Sequence, residues 1–272
     1  MAQQQIAAST FDYNLRVRPV ALVPLAIALA ILTIAPMAYA QTLSVLHTFT
    51  GGGDGGTPYA GLTIDQGGNF SQVGNSGCVP ESGVVLDSAG NLYGTTFLCG
   101  ADNEGVVYQL TQSGSSWTET VLHTFEGFND GGFPFGGLAM DRQGNLYGST
   151  TEGPGGSNGG TVYELQPSGD SWTYRTLTAL SGDGGPADAP TMDAAGNLYF
   201  TSNADGTLGF GNVFKLTPSG STWVYTDLHD FNANDGGYYP SGSVALDAQG
   251  NLYGTTPETS ASRWGEIWKL TP

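Results

Sequence analysis

Asp141-Arg142-Gln143-Gly144-Asn145-Leu146-Tyr147-Gly148-Ser149-Thr150 is the stretch that decides the fold. Its first four residues fit a tight turn: the Asp carboxylate caps the backbone N–H groups ahead of it, and Gly144 takes the positive φ that a side chain resists. Asn145 to Thr150 then reads as a short strand. Working outward, Gly137 to Asp141 is a strand that enters the turn. On the far side a variable loop leads to a third strand, Thr161 to Leu165. Pro167-Ser168-Gly169 then turns the chain into a fourth strand, Trp172 to Leu180.

The unit repeats. Gly-Asn-Leu-Tyr begins at Gly90, Gly144, Gly196 and Gly250, and Asp87, Asp141, Asp193 and Asp247 stand three positions earlier. Three further markers keep the same order. Gly105, Gly160, Gly211 and Gly265 open the third strand. Trp117, Trp172 and Trp223 open the fourth, with a Leu five residues on. Asp54, Asp130, Asp183 and Asp235 each begin an Asp-Gly-Gly segment with Pro nearby. Four short strands repeated at a period of about 50 residues are the pattern of β-propeller blades. The expectation is an all-β chain: a propeller of about four four-stranded blades with repeat markers at 90–94, 144–148, 196–200 and 250–254.

The phase of the repeat bears on closure. The last unit runs out after its third strand at Leu270-Thr271-Pro272, whereas Thr42 to Phe49 reads as a fourth strand with no first three before it. The N-terminal strand is therefore expected to join the last blade and close the ring, which removes exposed sheet edges. The first unit carries an insertion at about 66–82. A second first-strand-like segment, Gly61 to Asp65, precedes Gly67-Gly68-Asn69-Phe70, so one extra hairpin is expected; a distorted five-bladed ring is the alternative.

Composition sets limits on function. Gly supplies 43 of 272 residues, only 11% are charged, and 39% are hydrophobic, enough for a core. Lys plus Arg number 7 against 24 Asp plus Glu, a net charge of −17, which argues against nucleic-acid partners. The Gly-rich loops lack a Gly-Lys-Ser/Thr ending, and the one Gly-x-Ser-x-Gly match, Gly155 to Gly159, lies in a Gly-rich loop between two strands and not at a strand-to-helix elbow, so neither a phosphate-binding loop nor an α/β-hydrolase nucleophile is expected. Arg16 and Arg18 precede an apolar run from Val20 to about Pro36 that ends in Ala38-Tyr39-Ala40, the form of an export signal. Residues 1–40 are read as a signal peptide cleaved after Ala40. Residues 41–272 are read as one domain, secreted or periplasmic, free of the membrane and monomeric. In an oxidising compartment the pair Cys78 and Cys99 is expected to form a disulfide.

Two stretches carry a family likeness: Gly211-Asn212-Val213-Phe214-Lys215-Leu216-Thr217-Pro218-Ser219-Gly220 and Gly250-Asn251-Leu252-Tyr253-Gly254-Thr255-Thr256. With the Leu-x-x-Phe strands and the Asp-Gly segments, they resemble the extracellular GloVer tandem repeat of bacterial secreted proteins over nearly all of 42–272. The resemblance implies export and repeat architecture and no particular activity. Asp-x-x-Gly-Asn-Leu-Tyr also looks like turns of NHL-type, lactonase and lyase propellers, a likeness of fold alone.

Candidate chemistry is sparse. His47, His123 and His229 share one repeat slot in the fourth strand, which marks them as structural. The Asp-x-x-Gly aspartates read as turn formers, and the three tryptophans as packing between sheets. Function is expected on the face bearing the longer loops. There Asp54, Asp130, Asp183 and Asp235 offer oxygen ligands that could hold Ca²⁺, or else serve as solubilising charges alongside Asp102, Glu104, Glu152, Asp205 and Glu258. The candidate ligand-binding residues are Tyr59, Phe133, Tyr238, Tyr239, Glu258, Arg263 and Trp264, with Phe135 in the same loops. The expected role is non-catalytic: binding of a glycan, cell-surface or protein ligand. The alternative is a propeller hydrolase or lyase acting on a lactone or glycan through a metal-held carboxylate cluster, for which Glu258, Arg263 and Trp264 form the one asymmetric grouping.

Overall fold

The computed structural model describes residues 82–113, 116–180, 182, 184–186, 188–232, 237–257 and 265–272, all within the compact unit Thr48–Pro272. Among them are fifteen strands and no helix. Blade 1 holds β1 (Val85–Leu86), β2 (Leu92–Thr96), β3 (Val106–Ser113) and β4 (Ser116–Thr124). Blade 2 holds β5 (Ala139–Met140), β6 (Leu146–Thr150), β7 (Thr161–Ser168) and β8 (Ser171–Ala179). Blade 3 holds β9 (Thr191–Met192), β10 (Leu198–Ser202), β11 (Asn212–Ser219) and β12 (Thr222–Asp230). Blade 4 holds β13 (Ser241–Leu246), β14 (Leu252–Thr256) and β15 (Glu266–Leu270). Every sheet is an antiparallel meander in chain order. This is the four-bladed β-propeller arrangement. The strand expected to complete blade 4, the extra hairpin and Cys78 lie outside the described residues.

Each blade starts from the same turn. In blade 2, Asp141 Oδ1 accepts the amides of Gln143 and Asn145, both at 2.9 Å, while Oδ2 accepts Asn145 Nδ2 at 2.7 Å and the Tyr147 hydroxyl at 3.1 Å. Asp87, Asp193 and Asp247 repeat all four bonds. One carboxylate thus ties the turn to the strand that follows it. The second strand enters the interior: every residue of β2 and β6 is buried. The fourth strand alternates between half-buried and exposed residues and forms the outer rim.

Blades are joined by apolar wedges. Phe125, Leu180 and Phe231 each follow a fourth strand and are buried between that blade and the next. Phe125 packs with Val107 of blade 1 and Leu138, Leu146 and Tyr163 of blade 2; Leu180 and Phe231 repeat the arrangement one and two blades on. Trp172 and Trp223 meet the preceding blade's Tyr93 and Tyr147 edge-on, at 5.9 and 5.7 Å. Hydroxyls of the second strands add cross-blade bonds to backbone carbonyls: Thr95 to Gly136, Ser149 to Pro186 and Thr201 to Gly242.

Third and fourth strands share one irregularity. The register slips by a residue between Val107 and Tyr108, Val162 and Tyr163, and Val213 and Phe214. A bulge of this kind puts two residues opposite one and re-aims the side chains beyond it.

Candidate functional site

The described residues of the loops after second strands (97–105, 151–160, 203–211) and after fourth strands (125–138; 180, 182, 184–186 and 188–190; 231–232 and 237–240) meet at one end of the blades. Two of these junctions are aromatic. In the first, the Phe133 amide donates to the Glu104 carbonyl at 2.7 Å, and its ring meets Phe97 at 5.1 Å, with Phe135 edge-on to Phe97 at 5.9 Å. In the second, the Tyr239 amide donates to the Phe210 carbonyl at 2.8 Å. The rings of Phe210, Tyr238 and Tyr239 lie 5.1 to 6.4 Å apart.

Phe133 and Tyr239 occupy the same repeat position, eight residues before Asp141 and Asp247. Both have left-handed backbones, with φ of 55° and 61°. A bulky residue there costs about 1–3 kcal/mol, a strain that concentrates at functional sites. The junction between them has Gly185 at this position. Phe128, Phe135 and Tyr239 are exposed on this face.

Other expected residues are placed differently. Asp130 lies in the first junction loop with both oxygens engaged: Oδ2 is 2.8 Å from His123 Nε2, and Oδ1 accepts the Glu126 amide at 2.8 Å. His123 stacks on Tyr174 at 4.2 Å, and the Tyr174 hydroxyl donates to the Asp130 carbonyl. This set holds the loop. Glu104 and Glu152 approach one another nearby; burial, with the charges of Glu152 and Asp102, raises the Glu104 carboxyl above its ordinary range. Among the described residues no three His, Cys, Asp or Glu side chains are arranged to hold a metal. Asp54, Asp183, Asp235, Tyr59, Glu258, Arg263 and Trp264 lie outside the described residues.

Sequence reasoning missed Phe97 and Phe210, partners of the strained aromatics, and a polar group in blade 3. There Asn212 is fully buried. Its Nδ2 donates to the Tyr225 hydroxyl at 2.9 Å and to Asp227 Oδ2 at 3.2 Å. Asp230 stands directly opposite Asn212 in the strand pairing. Partial desolvation at the rim raises the Asp227 carboxyl, with Asp230 beside it adding to the effect. Comparing units would have revealed the group: the slots of Asp227 and Asp230 hold Val121 and Thr124 in blade 1, and Thr176 and Ala179 in blade 2.

The Gloeobacter/Verrucomicrobia repeat profile matches residues 67–268. The chain belongs to this repeat family. No curated protein matches it. Among solved structures, PorZ, a surface component of the type-IX secretion system of Porphyromonas gingivalis, is similar at 14% identity with a TM-score of 0.45, over 73% of this chain and 26% of its own. A protein of unknown function from Dyadobacter fermentans aligns at 14% identity and TM-score 0.40, over 63% and 60% of the two chains. A gluconolactonase-like protein aligns at 18% and 0.39, over 64% and 57%. In each case the chain spans less than two thirds of the neighbour's length.

Within this Gloeobacter/Verrucomicrobia repeat, the recurring residues are scaffold: the turn aspartates bond within a blade, and the wedge residues and strand tryptophans pack one blade on the next. Side chains that differ between units stand at the loop junctions, beside Asn212 and at the Glu164–Arg175 pair of blade 2.

Proposed function

We propose that this repeat protein is an exported, non-catalytic binding module whose loop face takes a glycan, the aromatic groups at the two junctions stacking on sugar rings. One observation carries the reading. Phe133 and Tyr239 are both held in a strained left-handed backbone, at equivalent positions of two junctions, where glycine would be the unstrained choice. Aromatic rings fixed by a backbone clamp meet a ligand with little ordering cost. The signal-like segment ending at Ala40 supports export, and the acidic surface suits a neutral or cationic ligand better than a polyanion.

The test uses Phe133→Gly and Tyr239→Gly, which delete the ring and relieve the backbone. Affinity electrophoresis against a panel of neutral polysaccharides should show retarded wild type and weakened binding in each variant. A lost stacking contact is worth about 0.5–1.5 kcal/mol, or roughly two- to tenfold in affinity. The thermal midpoint should hold or rise. Wild type that no polysaccharide retards, or variants that bind as wild type does, would sink the reading.

A further inference from the structure

We propose that blade 3 carries a site for a hard divalent cation of the Ca²⁺ class, held by the carboxylates of Asp227 and Asp230 and the amide oxygen of Asn212. Strand geometry brings the three together. Asn212 pairs with Asp230 and Phe214 with Asp227, Leu228 being the extra residue of the bulge. In a regular strand, residues three apart point to opposite faces. The bulge removes that alternation, so Asp227 and Asp230 share the face on which Asn212 lies.

The hydrogen-bond accounting leaves acceptors with nothing to accept. Asn212 Nδ2 is bonded to Tyr225 and Asp227, and Asp230 Oδ2 accepts the Thr207 amide at 3.1 Å. Asn212 Oδ1 and Asp230 Oδ1 are both buried with no partner. In blade 2 the residue equivalent to Asn212 is Thr161, satisfied by Thr150 Oγ1 at 2.7 Å. In blade 3 the equivalent of Thr150 is Ser202, and its hydroxyl turns instead to the Gly184 carbonyl. A buried acceptor without a donor costs about 1–3 kcal/mol, and two side by side form a natural seat for a cation.

Only glycine lets the chain pass this close to the acceptors. Gly206 has a φ of +88°, and a Cβ there would stand 2.2 Å from Asp230 Oδ1 and 3.2 Å from Asn212 Cβ. Asp227 and Tyr225 are exposed at the rim beside these buried acceptors, and water from that side would complete the coordination shell. The donor set is all oxygen, which selects hard cations over Zn²⁺ or Cu²⁺. Two carboxylates and one amide are a modest charge set, so affinity belongs in the range of extracellular Ca²⁺ modules, about 10⁻⁴–10⁻³ M.

Isothermal titration of the full chain with CaCl₂ should give one saturable site. Tb³⁺ bound there should show luminescence sensitised by Tyr225 that Ca²⁺ displaces. Asp230→Asn should weaken binding by about tenfold or more, and Asp227→Asn should weaken it as well. Glu104→Gln, in the separate acidic junction of blade 1, should leave it unchanged. If Asp230→Asn fails to fold, the wild-type Tb³⁺ signal and the rim variant Asp227→Asn decide the matter. Absence of saturable Ca²⁺, Mg²⁺ or Mn²⁺ binding in the millimolar range overturns the site. So does binding that survives both aspartate variants, or that disappears in Glu104→Gln. None of these outcomes depends on whether a glycan binds.

Discussion

A single aspartate organises each blade. At Asp193, burial works against ionisation, but the bonds from Asn197, Tyr199 and the amides of Asn197 and Ala195 outweigh it and hold the carboxyl below its ordinary range. Asp87 behaves likewise. At Asp247, the Asn251 side chain makes the largest contribution and the carboxyl is pushed down to about 2. A carboxyl with a depressed native pKa contributes stability above its unfolded value of about 3.9 and loses it as pH falls through the native one. These turns should therefore be indifferent to pH near neutrality and weaken between about pH 4 and pH 2. Carbon-detected NMR titration should find Asp247 ionising well below a free aspartate; an ordinary midpoint would refute this account of the turn. Asp193→Ala leaves the Tyr199 hydroxyl and Asn197 Nδ2 without their acceptor, at about 1–2 kcal/mol for a partly exposed site. Urea unfolding would measure that loss.

At the scale of the element, the ties between blades differ in chemistry. Glu164 on β7 is buried, yet it accepts the Tyr147 hydroxyl at 3.0 Å, Gln166 Nε2 at 3.1 Å and the Arg175 guanidinium. Arg175 also reaches blade 3, donating to the Ser221 carbonyl at 3.0 Å. Arg175→Met should strand a buried carboxylate. Removing one partner of a buried pair costs about 3–5 kcal/mol, and the half-exposed guanidinium brings the expectation to about 2 kcal/mol. Restoring stability with Glu164→Gln in the Arg175→Met background would show that the penalty is the unpaired charge; a double variant no better than the single would not. The blades themselves were legible in the sequence, because the Asp-x-x-Gly turn states its own geometry and recurs with a regular period. The strain at Phe133 and Tyr239 was not, since residue type alone predicts that neither enters a left-handed backbone. The Asn212 group shows only when the units are compared, for a different reason. Asp227 and Asp230, three apart, point oppositely in any strand drawn without a bulge, and nothing in the local residues announces the bulge.

At the scale of the whole molecule, three junctions between consecutive blades are built alike, and one face stands apart. Val107, Val162 and Val213 are fully buried against the following blade, whereas Ile267, at the same place in blade 4, is 83% exposed. A large β-branched side chain exposed on the final described strand invites association. In sequence, Leu46-His47-Thr48-Phe49 repeats the Leu122-His123-Thr124-Phe125 segment whose Phe wedges against Val107, which is why ring closure at this face is put to a test. Closure makes a definite prediction for Ile267→Asp. Beneath a neighbouring blade the new carboxylate would be desolvated without a partner, as in the comparison variant Val213→Asp. A loss of about 2 kcal/mol would lower the melting temperature by about 4–8 °C in a protein of this size. The expected result is a fall of that order by scanning calorimetry, with a monomer on size-exclusion chromatography. An unchanged melting temperature would instead mean that the blade 4 face meets solvent and that the ring is open there.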